Sequence, residues 1–139
     1  MNAAVLRFWR LVLASCVFSG CQHEEELPTF PVQGRVTYTD GSPVASGIVS
    51  FSIQLEGQRV TARGLLDEHG NYRLSTRVPN DGAVAGIHQV TLQPSPTAGT
   101  MADRLQSVIP EKYWNLTTTD LELQITEGGN DILLEIERP

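Results

Sequence analysis

From Val32 onward, apolar and polar residues alternate in short runs. Val32, Gly34, Val36 and Tyr38 interleave with Gln33, Arg35, Thr37 and Thr39. Val49, Phe51, Ile53 and Leu55 interleave with Ser50, Ser52 and Gln54, and Val60, Ala62, Gly64 and Leu66 with Thr61 and Arg63. A period of two sends successive side chains to opposite faces, so each run predicts a strand with one buried face and one wet face. Tyr72 and Leu74 continue the pattern, as does Gly86 to Gln93, with His88, Val90 and Leu92 on one face. Leu121, Leu123 and Ile125 make another run, and Ile132, Leu134 and Ile136 the last. Asp40-Gly41-Ser42-Pro43, Glu56-Gly57-Gln58, Asp67-Glu68-His69-Gly70 and Gly128-Gly129-Asn130-Asp131 fall between runs and read as turns. About seven short strands separated by turn signals predict an all-β sandwich.

Pro94 to Asn115 interrupts the rhythm. Pro94, Pro96 and Gly99 exclude a regular element at its start, and Ala102 to Val108 reads as a short helical turn or a strand. Loops of this length are uncommon in small domains and often functional. This one carries the adjacent aromatics Tyr113 and Trp114. They read first as a plug packing the loop onto the open end of the sandwich, and otherwise as a contact for a ligand or partner.

The first thirty residues have another character. Arg7 and Arg10 precede the apolar run Leu11 to Phe18, then Ser19-Gly20-Cys21 and the polar stretch Gln22-His23-Glu24-Glu25-Glu26. A basic start, a short apolar run and small residues before a cut site make a secretory signal, too short to span a bilayer. Cys21 reads as the lipidation site of a lipoprotein signal, with Cys16 in Leu13-Ala14-Ser15-Cys16 as the alternative. Two acyl groups would give a stable membrane anchor. The expected organisation is a signal peptide over 1–20, an acidic spacer over 21–30 and one sandwich domain over 31–139. The expected location is the cell envelope, on the exported side.

Length and charge sharpen this picture. A chain of 139 residues suits one domain. All 16 Asp and Glu follow Cys21, while 2 of the 10 basic residues precede it. Such an acidic chain lacks the electrostatic footprint of a nucleic-acid binder, and it gains nothing from anionic lipid headgroups. Membrane attachment is therefore expected through lipid alone.

No catalytic pattern emerges. His23, His69 and His88 have no zinc spacing and no Cys companions. His88 reads as a core substitute for an aromatic residue. Asp67 to Asn71 gathers oxygen ligands of the calcium type, but the turn explains the same residues. No Gly-x-Ser-x-Gly elbow and no Gly-rich phosphate loop occurs.

Three segments together suggest a family. Val32-Gln33-Gly34-Arg35-Val36-Thr37-Tyr38-Thr39-Asp40-Gly41-Ser42-Pro43-Val44, Asp67-Glu68-His69-Gly70-Asn71-Tyr72-Arg73-Leu74 and Gly86-Ile87-His88-Gln89-Val90 resemble carboxypeptidase-regulatory-like domains. His88 stands where that pattern has Tyr. Ile109-Pro110-Glu111-Lys112-Tyr113 and the Leu121 to Ile125 strand are similar to a subgroup of small secreted planctomycete-type lipoproteins. The resemblance implies a seven-stranded Greek-key, transthyretin-like (prealbumin-like) sandwich without a family active site or cofactor. Hydroxyisourate hydrolases share that fold, but this chain ends Ile136-Glu137-Arg138-Pro139 and lacks their Tyr-Arg-Gly-Ser tail. The expected function is a non-catalytic envelope module, structural or binding protein or polysaccharide. The alternatives are a small-ligand carrier or sensor using the 94–115 loop, and an accessory domain of an envelope enzyme.

Overall fold

The computed structural model describes residues 25–96, 101 and 108–139. Both cysteines, and therefore the expected signal and lipidation site, lie outside them, as does most of the stretch from Ala102 to Val108.

The strands are β1 (Thr29–Phe30), β2 (Val32–Tyr38), β3 (Ile48–Leu55), β4 (Gln58–Leu65), β5 (Asn71–Arg73), β6 (Ala83–Val84), β7 (Gly86–Gln93), β8 (Glu122–Ile125) and β9 (Asn130–Ile136). Seven coincide with the alternating runs. The other two, β1 and β6, are two-residue strands that pair only with each other, so the described residues hold nine strands rather than seven. Two residues are too few for any periodicity to show. Because Thr29 and Phe30 pair with Val84 and Ala83, the first strand of the described residues lies inside the stretch expected as spacer.

The remaining strands form two sheets, β5-β2-β9 and β4-β3-β7-β8, in a sandwich-like all-β arrangement. In the larger sheet every pairing is antiparallel. In the smaller one β2 pairs antiparallel with β5 but parallel with β9, from Val32↔Asn130 to Tyr38↔Ile136. The facing sides make one core in which Val36, Val49, Phe51, Leu74, Val90 and Leu92 are fully buried. Each such side chain contributes roughly 1.5–3 kcal/mol by leaving water.

Local chemistry sets the register. Glu56 and Gly57 both have positive φ (46° and 80°), and Leu55 pairs with Gln58. That two-residue hairpin matches the strand twist and fixes which residues of β3 and β4 stand opposite one another. Ser50 faces Arg63 and Ser52 faces Thr61 across the pair. At Asp67 the carboxylate accepts the N–H groups of His69 (2.9 Å) and Asn71 (2.8 Å). Gly70 closes that turn with φ +76°, and a Cβ there would stand 2.4 Å from the Val36 carbonyl oxygen.

Candidate functional site

In the stretch after β7, the Val108 carbonyl accepts the Tyr38 hydroxyl at 2.9 Å. Ile109 is buried, and a single 3-10 turn, Glu111–Tyr113, follows Pro110. Tyr113 points into the core with 2% exposure, and its hydroxyl accepts the Glu137 N–H at 3.2 Å. Lys112 lies over the same ring, 4.7 Å from its centroid, and its ammonium reaches Glu137 at 2.9 Å and Asp120 at 3.5 Å. The hydrogen bond to Glu137 is the largest reason its pKa stands above the ordinary lysine value.

Trp114 behaves differently from its neighbour. It is only partly buried, packed against the core cluster. Its indole N–H donates to the Ile109 carbonyl at 3.0 Å, and its own carbonyl accepts the Gln93 side-chain amide at 3.0 Å. Thr119 adds a bond from its hydroxyl to the Val90 carbonyl, 2.6 Å. The segment is thereby tied to β7 at both ends. The indole has spent its one donor internally, so what it offers outward is ring surface.

That surface lines an open groove of about 520 Å³ on the outer face of the larger sheet. Its floor carries Ser50 and Ser52 from β3, Thr61 and Arg63 from β4 and Thr91 from β7. Trp114 to Thr117 forms one wall, and Arg59 lies on the β4 side. Alternation explains this composition, since Val49, Phe51, Ala62 and Val90 take the inward positions; Ser50, Thr61, Arg59 and Arg63 turn outward, while Ser52 and Thr91 share that face but are buried. Ser52 and Thr61 hydroxyls are 2.9 Å apart across the strand pair. Among the described residues no Asp, Glu, His, Cys or Lys lines the groove, so its hydroxyls have no described general base beside them.

Other candidate chemistry falls elsewhere. His88 is on the inward face as expected, 1% exposed, beside Phe51 with ring centroids 6.1 Å apart. Its Nε2 donates to the Val84 carbonyl at 2.8 Å, while Nδ1 is buried without a hydrogen-bond partner. The residues suggestive of calcium, Asp67 to Asn71, use both oxygens of the Asp67 carboxylate within the turn. Among the described residues no three His, Cys, Asp or Glu side chains gather as metal ligands.

A second polar groove of about 540 Å³ crosses the smaller sheet, and Arg35, Arg73, Asp67 and Asp131 mix both charges in its lining. Of the aromatic pair, the structure assigns Tyr113 to the core and Trp114 to the groove. Arg59 and Arg63 had a legible signal: once the Glu56-Gly57 hairpin fixes register, they share a face with Ser50 and Ser52.

The chain matches no protein family, no curated protein and no solved structure.

Proposed function

We propose that this protein is a non-catalytic, lipid-anchored binding module of the cell envelope that holds a polysaccharide strand in the groove beside Trp114. The transthyretin-like Greek-key kinship belongs to the same proposal. It is supported by the β2 strand, the Asp67–Gly70 turn and the β7 strand forming at the three segments that resemble carboxypeptidase-regulatory-like domains. The signal over 1–20 and a lipid on Cys21 supply the location in this reading.

The observation that carries it is the partly buried Trp114, with its N–H already bonded to Ile109, beside a floor of hydroxyls. Aromatic ring surface suits the C–H face of a sugar, and Ser and Thr hydroxyls suit its oxygens. An open groove on a sheet face admits a polymer that continues past both ends, whereas small-ligand sites enclose most of their ligand.

Retention of the full-length protein on insoluble envelope polysaccharide tests the reading. Trp114→Ala should bind about tenfold more weakly or worse, compared well below its thermal midpoint, which loss of the ring packing and of the bond to Ile109 lowers. Equal retention of wild type and variant would remove this groove as the contact surface.

A further inference from the structure

We propose that the saccharide in this groove is anionic, with its acidic groups read by Arg59 and Arg63. This rests on the polysaccharide reading above and specifies its ligand class.

Charge distribution carries the inference. The chain has 16 acidic against 10 basic residues, yet among the described residues neither the groove nor the adjoining hollow on its β4 side has an acidic side chain in its lining. The hollow shares Ile48 and Arg63 with the groove and adds Arg73. The path from Thr117 past Arg59 and Arg63 is therefore continuous and free of carboxylates among its described lining residues, and it ends at Arg73, which also borders Asp67 and Asp131 in the groove of the smaller sheet.

The described cations away from this path are engaged. Arg138 bonds Asp40 at 2.9 Å, Lys112 bonds Glu137 at 2.9 Å, Arg77 donates to the Leu27 carbonyl at 2.6 Å, and Arg35 to the His69 carbonyl at 2.8 Å. Arg59, Arg63 and Arg73 have no side-chain hydrogen bond or ion pair among the described residues, and all three are exposed.

Charges on edge strands commonly block sheet-to-sheet association. That role needs no aromatic wall, no hydroxyl floor and no exclusion of carboxylates. Arg59 and Arg63 share a face of β4 about 13 Å apart. The spacing places them on separate acidic groups of a repeating polymer rather than on one. Guanidinium matches carboxylate or sulfate with two parallel N–H donors, which ammonium cannot do.

The test uses full-length protein, polygalacturonate, and the same polymer fully methyl-esterified, compared by affinity electrophoresis. Wild type should bind the acidic polymer about tenfold or more tightly than the ester, and added salt should erode that preference. Arg59→Ala/Arg63→Ala should bind both polymers equally and weakly, and Arg59→Lys/Arg63→Lys should recover only part of the preference. Trp114→Ala should weaken binding to both. Both arginines are exposed, so the melting curves of the arginine variants should overlay the wild type. Equal wild-type affinity for the two polymers, or a preference that survives the double alanine variant, overturns the anionic assignment and leaves the polysaccharide reading standing. Binding to neither polymer overturns both.

Discussion

Single carboxylates hold several of this protein's turns. Asp81 accepts backbone N–H groups from Thr76 (2.6 Å), Arg77 (3.0 Å) and Val78 (3.3 Å). Partial burial pushes its pKa up, but the three donors outweigh it and the net shift is downward. Asp67 follows the same logic, with burial opposed by the Asn71 and His69 N–H groups. Asp40 is held at about 2, chiefly by the Ser42 hydroxyl, then by the Ser42 N–H and Arg138. A depressed folded-state pKa means that the fold favours the ionised form. The resulting stability is fully present above about pH 5 and is lost as pH falls through 4 toward 2. Thermal melts between pH 7 and pH 2 should show that decline. Asp81→Ala should cost about 1–2 kcal/mol at pH 7 and flatten the acid limb; a variant that keeps the full wild-type slope would exclude Asp81 as a contributor. None of these partners was legible in the sequence beyond the Asp-to-Gly turn motifs, because a carboxylate's donors depend on the path the turn takes.

At the scale of elements, alternation revealed seven strands, and the hairpin at Glu56-Gly57 fixed one register. It could not reveal β1 and β6, nor the partner of any strand, since a period of two carries face but not neighbour. The segment after Pro110 shows the same limit. Adjacent aromatics signalled an anchored loop, and one of the two does anchor it. That they divide the work follows from the 3-10 turn, which sends Tyr113 inward and leaves Trp114 at the groove wall. Tyr113→Phe keeps the packing and loses the hydroxyl's contacts to the Glu137 N–H and the Lys112 ammonium, a cost of about 1 kcal/mol. Tyr113→Ala empties a core position and should cost about 3–5 kcal/mol. Urea unfolding separates the two, and near-identical losses would show that the hydroxyl, not the ring, is what matters.

For the whole molecule, the proposed location turns on residues outside the described structure. Radiolabelled palmitate should enter the wild-type protein and be absent from Cys21→Ala; label retained in that variant would move the anchor to Cys16. An anchored N-terminus would meet the fold at β1, whose partner β6 lies directly before β7, a floor strand of the groove.

The parallel pairing of β2 with β9 sets the order in which the protein can be completed. β2 is the middle strand of the smaller sheet, and on one side its neighbour is β9, the last of the described strands. The contact therefore spans almost the entire domain and must close a long loop before it gains any bond, which slows folding. Until Asn130 to Ile136 has been delivered, one edge of β2 stays open as a template for a strand from another molecule. A chain synthesised N-terminus first would display that bare edge until β9 had been made. β9 thus seals the smaller sheet, and a variant without Asn130 to Ile136 should self-associate through the bare side of β2.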